Sequence, residues 1–459
     1  MAHLAAFKTT SAVATRTPPG PKGLPILGVS LDLLRDLLGL LRRAAAEYGD
    51  IVRIPVVKGD RILLNHPDWI EQLLVVQQSK FHKSEVSKEA TERLLGQGLL
   101  ISEGEFWRRQ RRLAQPAFHR ARINQYAATM VELAEQHVQQ WRDGETRDMA
   151  LEMMSTTLDI AVRTLFGTTL PGEAEHVGQA MKFLMRYSLG RARSPVAIPK
   201  SWPTPRNRRA NREFEFLDSL VYRIISERRA EGNSNHHNDL LALLMSAMDE
   251  DGTQMTPRQL RDETMTLFLA GHETTALALT WTWYLLSGNP VAENRLHEEL
   301  SSVLGSRLPQ VSDLERLPYL QAVVNESLRL YPPAYLLART SIAPSTIGGY
   351  DFPTGTTILV SPWVMQRDAR YFDDPDTFHP ERWLDGLAAR LPSGAYFPFG
   401  DGPRRCIGQG FALLESALVI ATIAQKFQFR TVPGHPVVPE PLVTLRPRHG
   451  IRMTFQARN

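Results

Sequence analysis

"FGDGPRRCIGQG", residues 399–410, holds the only cysteine of a 459-residue chain, set among four glycines and two arginines. A single cysteine forms no internal disulfide, so nothing here asks for an oxidising compartment. Gly400 and Gly402 allow tight or left-handed turns. Arg404 and Arg405 bring positive charge beside the sulfur, which favours thiolate over thiol. A helical pattern begins at about Gln409, so Cys406 also feels the positive end of a helix dipole. A thiolate on such a loop serves as a nucleophile, a redox sensor or a metal ligand; the plain alternative is a small buried hydrophobe.

With 43% hydrophobic and 22% charged residues, the chain can bury a large core. The net charge of +4 is too small to argue for nucleic acid. "RRQRRLAQPAFHRAR", residues 108–122, carries six arginines and no acid. That is a basic face for an acidic partner or anionic ligand, or a solvated helix face. No nucleic-acid motif accompanies it, which excludes that partner. Residues 1–28 contain no apolar run long enough for a signal peptide or membrane anchor, so the cytoplasm is expected. Residues 1–17 read as a mobile tail, and "PPGPKGLP" (18–25) as a stiff lead-in to one unit over 18–459.

Helical periodicity dominates, and strands are few and short, so the fold is mainly α with a small β region. "IVRIPVVKGDRILLN" (51–65) reads as a hairpin turning at Gly59 and Asp60; "YDFPTGTTILVS" and "LVTLRPRHGIRMTF" are further sheet pieces. The longest helix is delimited by its ends. Thr256, Pro257 and Gln259 form a capping start, and Gly288, Asn289 and Pro290 a stop. The resulting rod, about 46 Å long at 1.5 Å per residue, crosses the whole unit. Its centre, "AGHETT" (270–275), is polar. A carboxylate at a bilayer centre costs about 2.5–3.5 kcal/mol, so this is a buried helix with a polar break rather than a membrane span.

Phe399, Gly402, Arg404, Cys406 and Gly408 resemble the haem-binding loop of the cytochrome P450 family at every fixed position of its Phe-x-x-Gly-x-Arg-x-Cys-x-Gly pattern. The resemblance implies that fold, with the long helix beside the haem, and Cys406 as axial thiolate ligand of haem b iron. Thiolate ligation pushes electron density onto iron to favour O–O cleavage. By the same resemblance Phe399, Gly400 and Gly408 shape the loop against the porphyrin, and Arg404 pairs with a haem propionate. In "AGHETT", Ala270 lies against the haem while Glu273 and Thr274 pass protons towards dioxygen. The residue-level alternative for Thr274 is a hydroxyl bonded back to the preceding turn.

Two further motifs follow the family's order. "ESLR" sets Glu326 and Arg329 on one helix face, and "PERW" adds Arg382; their implied role is structural. On a surface such a pair contributes only about 0.3–0.5 kcal/mol. In "WRRQR", Trp107 and Arg111 stand one turn apart and, with Arg404, supply partners for the haem carboxylates, which need them when buried. Arg339 and Lys83 fit further positions of this kind, or are solvated cations. Arg108, Arg109, Arg112 and Arg405 face a separate electron donor, a ferredoxin or flavodoxin with its reductase, and no fused reductase is expected.

Leu100, Thr266, Leu269, Ala270, Ala334, Leu336 and Val443 resemble pocket-lining positions and predict an apolar small-molecule substrate. Residues 185–214, rich in proline and arginine, are expected to form a mobile cover over the entrance. "MQRDAR" (365–370) and Gly410 depart from the family pattern without touching the assigned chemistry. The implied activity is a monooxygenase placing one atom of dioxygen into the substrate. A peroxide-dependent peroxygenase typically replaces the acid–alcohol pair, and a haem-binding sensor has no need of Glu273 and Thr274.

Overall fold

The computed structural model describes residues 17–458 apart from 58, 171, 194–197, 231–238 and 249–251; the tail expected over 1–17 lies outside these, Thr17 excepted. Among the described residues helices dominate, and four small sheets accompany them.

The long helix runs Pro257–Ser287, 31 residues, with the predicted capping box at its start. The Thr256 hydroxyl accepts from Gln259 N at 3.2 Å, and Gln259 Oε1 accepts from Thr256 N at 2.8 Å. Asn289 closes the other end by donating to the Leu285 carbonyl at 2.6 Å. The rod packs along helix Met149–Phe166 and touches helices Pro205–Ala230, Pro318–Leu330 and Gln409–Ala424. It is buried from Leu260 to Leu269 and again from Thr275 to Trp283. Between these stretches Ala270 is exposed, and Gly271 and Thr274 are partly so. A helix buried on both sides of this opening has no reason to open there unless something else is meant to cover it.

The predicted hairpin forms as Ile51–Ile54 against Arg61–Leu64. It belongs to a five-stranded sheet that continues through Thr357–Val360, Leu337–Ser341 and Phe81–Lys83. Alternate side chains serve two cores: Val52, Ile54 and Leu63 face one, Ile51, Ile62 and Leu64 the other. The outermost register sets Lys83 directly opposite Arg339. "YDFPTGTTILVS" divides between two sheets, since Tyr350–Phe352 pairs with Ser345–Ile347 while Thr357–Val360 joins the larger one.

Residues 185–214 differ from the expectation of an irregular cover. Helix Ala174–Arg193 and helix Pro205–Ala230 occupy most of the segment. Leu184, Met185 and Leu189 are buried, and Tyr187 donates to Asn207 Oδ1 at 2.9 Å, so the apolar stripe packs on either side while Pro199 and Pro203 stay in the irregular stretch 198–204 between the helices.

Candidate active site

The cysteine loop is closed by its own backbone. Gly400 N donates to the Phe397 carbonyl and Cys406 N to the Phe399 carbonyl, both at 2.9 Å. Gly402 has φ +65°, and a Cβ there would lie 2.1 Å from the Leu74 carbonyl oxygen. Only glycine lets the loop seat on the π-helical turn Gln72–Val76. At Gly400 and Gly408 the nearest protein atoms stand 3.7 and 3.6 Å from a built Cβ. The closest approach the glycines permit is therefore to the chain itself, at Gly402.

Cys406 keeps accessible surface although protein atoms surround it on most sides, and it stands just ahead of helix Gln409–Ala424, whose residues from Leu414 to Ala424 are all buried. Desolvation pushes its thiol pKa above the ordinary value despite the Gly408 N–H and the charges of Arg111, Arg405 and Lys83. Arg405 favours the thiolate as expected, but Arg404 is engaged by Glu103 and Trp107 instead, and desolvation outweighs the remaining charges. A coordinated metal ion deprotonates such a thiol outright.

Cations converge on this cysteine. Arg111, Lys83 and Arg405 act on it electrostatically, and Lys83 in turn feels Arg339 and Arg404. Desolvation, with Arg339 and Arg404 alongside, lowers Lys83 to about 7. Desolvation likewise lowers Arg339, and brings Arg404 down to about 10. Like charges directly opposite in an antiparallel pair are destabilising, so Lys83 beside Arg339 calls for an anion. The Arg404 guanidinium lies 3.8 Å from the Trp107 ring centroid and that of Arg111 5.9 Å. The acid in their midst is Glu103, which sequence reading missed: it pairs with Arg404 and accepts the Lys83 backbone N–H at 2.6 Å. Among the described residues no group of three metal-ligating side chains stands together. An iron cofactor that brings its own equatorial ligands and carboxylates fits one thiol ringed by cations.

On the long helix, Thr274 and Glu273 diverge. Thr274 lies on the open face with Ala270, and its hydroxyl donates to the Ala270 carbonyl at 2.8 Å. Glu273 is buried and accepts from Thr444 Oγ1 at 2.5 Å and Arg446 Nε at 2.9 Å. The acid is therefore clamped by the strand Leu445–Pro447 and its neighbour Thr444. These partners lie more than 170 residues away, beyond any local pattern.

Of the pocket positions, Leu100 and Ala270 are exposed, and Ala334, Leu336 and Val443 half-buried. Leu269 belongs to the main core, and Thr266 is buried with its hydroxyl against Gly98, so neither offers surface to a ligand.

Behind the loop, Glu326 accepts from Arg329 Nη2 at 2.8 Å, Arg382 Nε at 3.0 Å and Trp383 Nε1 at 2.9 Å. Glu326 and Arg329 are fully buried, far from the surface pair their spacing alone describes. Gln366, noted as a departure in "MQRDAR", has a role here. It donates to the Leu328 and Arg329 carbonyls and accepts from Phe397 N at 3.1 Å, tying this frame to the cysteine loop. On the outer side, Arg108, Arg111 and Arg112 line one open groove of about 460 Å³ with Trp107 and His119. Arg109 instead donates to Thr253, so of the arginines assigned to the electron donor only Arg108 and Arg112 share this groove with Arg111.

The family model described as "Cytochrome P450" matches residues 18–455. The chain belongs to the cytochrome P450 family. Among its relatives, "Cyclooctatin synthase" of Streptomyces melanosporofaciens is 37% identical over 426 residues, 93% of this chain and 92% of the relative. "Cyclooctat-9-en-7-ol 5-monooxygenase" of the same organism is 37% identical over 424 residues, 92% of this chain and 90% of the relative. "Pentalenene oxygenase" of Streptomyces avermitilis is 32% identical over 439 residues, 95% of this chain and 97% of the relative. This cytochrome P450 is a haem-thiolate monooxygenase, an oxidoreductase that inserts one atom of dioxygen into an apolar small molecule with electrons from a redox partner. Among the described residues no helix is long and apolar enough to cross a membrane.

Proposed function

We propose that this cytochrome P450 oxygenates a neutral terpenoid in the cytoplasm, using haem b held by Cys406 and electrons from an acidic ferredoxin or flavodoxin. The observation that carries the site assignment is the excess of desolvated cations, Lys83, Arg111, Arg339 and Arg404, around one accessible thiol. When bound, haem b supplies the redox-active iron that activates dioxygen. Lys83, Arg339 and Arg111 would take its carboxylates; Arg404, expected to do so as well, already pairs with Glu103 and with Trp107 would form the adjoining wall.

In this reading the open face of the long helix, where Ala270 and the Thr274 hydroxyl lie together, is the wall that meets dioxygen and substrate. Thr274 relays protons and orders water there, with Glu273 behind it. Glu273 accepts from Thr444 and Arg446, and that clamp must loosen before it can join the relay. Leu100, Ala270, Ala334, Leu336 and Val443 form an apolar lining that places the substrate. The relatives' names, which state oxygenation of cyclooctat-9-en-7-ol and of pentalenene, support a substrate of this kind. The arginine-lined groove near Trp107 suits an acidic donor, since opposite charge steers encounter.

The test is optical titration of the ferric protein against terpenes, steroids, fatty acids and macrolides, followed by turnover of the hit under labelled dioxygen. A spin-state shift with terpenes and one labelled oxygen in the product is expected. A shift only with fatty acids or macrolides contradicts the substrate assignment.

A further inference from the structure

Glu103 occupies the N-cap position of helix Gly104–Ala114, yet its side chain makes no capping bond to that helix. A carboxylate there ordinarily satisfies the first free N–H groups. Here both oxygens are spent elsewhere. Oε1 takes the backbone N–H of Lys83 at 2.6 Å, and Oε2 pairs with the Arg404 guanidinium, whose other nitrogen donates to the Ser102 carbonyl at 2.8 Å. The two side chains are only 15% and 11% exposed, so their charges are weakly screened. One carboxylate thus stands inside the cation cluster, fixed on one side to the strand carrying Lys83 and on the other to the loop carrying Cys406.

We propose that Glu103 is a built-in counter-ion that positions Arg404 and holds the cofactor's reduction potential low. This rests on reading the cluster as the haem site. The reasoning is electrostatic. Adding one electron to ferric iron lowers the local charge by one, and a fixed negative charge nearby opposes that step. Arg404 favours it, and the pair together nearly cancels. Glu103 therefore tunes the electron's entry while taking no part in oxygen insertion.

The experiment is a spectroelectrochemical titration of the haem-loaded protein and three variants. Glu103→Gln keeps the shape and the hydrogen-bonding oxygen but removes the charge; about a tenfold shift of the ferric–ferrous equilibrium towards ferrous is expected, about 59 mV for one electron. Arg404→Gln is expected to shift it in the opposite direction. The double variant, which leaves no uncompensated charge if either single variant folds poorly, returns to within about twofold of the parent. A Glu103→Gln protein that keeps its thiolate spectrum but not the shift overturns the proposal, as does a double variant that fails to return. A merely structural Glu103 changes haem retention and leaves the potential in place. If the parent protein itself shows no thiolate-ligated haem, the reading of the site fails first, and the two failures are thereby told apart.

Discussion

Two charged clusters flank the cysteine loop, and their charge balance separates frame from site. Around Glu326, one fully buried carboxylate meets Arg329 and Arg382, and the spare Arg329 donors go to the carbonyls of Gln366, Pro375 and Thr377. That cluster is filled by the chain itself. Around Cys406, Lys83, Arg339 and Arg404 share Glu103 while Arg111 faces the thiol alone, and burial depresses the cations. A buried cluster that closes on itself holds the fold. One that leaves desolvated cations beside an accessible thiol is waiting for an anionic, metal-bearing partner.

Cys406→Ser breaks the comparison most completely. It removes the proposed thiolate ligand, and the reduced carbon monoxide complex is expected to lose its thiolate band together with all turnover. Glu326→Gln tests the frame: removing one member of a buried pair costs about 3–5 kcal/mol. Soluble yield and the thermal midpoint should collapse even with haem supplied. Thr274→Ala leaves both clusters intact. Product formation should fall by about 10²-fold, in the range of a lost acid–base group, while substrate binding by optical titration stays unchanged. Arg339→Leu separates the clusters in the other direction. The fold persists, and haem transfers to an acceptor globin faster by about one to two orders of magnitude, matching about 1.5–3 kcal/mol for a charge-assisted bond.

The smallest effect is in pH. Before haem is added Lys83 titrates at about 7, against 10.5 for an ordinary lysine. Between those values the unfolded chain binds the extra proton, so this group's contribution makes stability rise with pH. Subtracting the thermal midpoints of Lys83→Met from those of the parent between about pH 7 and 9 should expose that rise, and haem should flatten it by restoring the proton. An equal difference at every pH contradicts the depressed lysine.

Elements with local causes were legible in the sequence. The long helix is bounded by the capping box at Thr256 and the stop at Asn289, and the hairpin by Gly59, all fixed within a few residues of chain. The cysteine loop was legible because each of its positions has a steric or chemical duty. The partners across the fold were not. Glu103 reaches Arg404 across about 300 residues, Arg446 reaches Glu273 across 173, and Gln366 reaches Phe397 across 31; no periodicity encodes such pairings. The helices over 185–214 were hidden by prolines that break the pattern locally while the apolar stripe on either side still packs. The thiol was read as too acidic because charge is visible in sequence and burial is not.

The most direct test of the account is the absorption spectrum of the reduced, carbon monoxide-treated protein after haem b is supplied, compared for the parent, Arg339→Leu and Cys406→Ser. The account predicts the red-shifted band of thiolate ligation in the parent and in Arg339→Leu at lower occupancy, and its absence in Cys406→Ser. An unshifted band in the parent, or a thiolate band that survives Cys406→Ser, would contradict it.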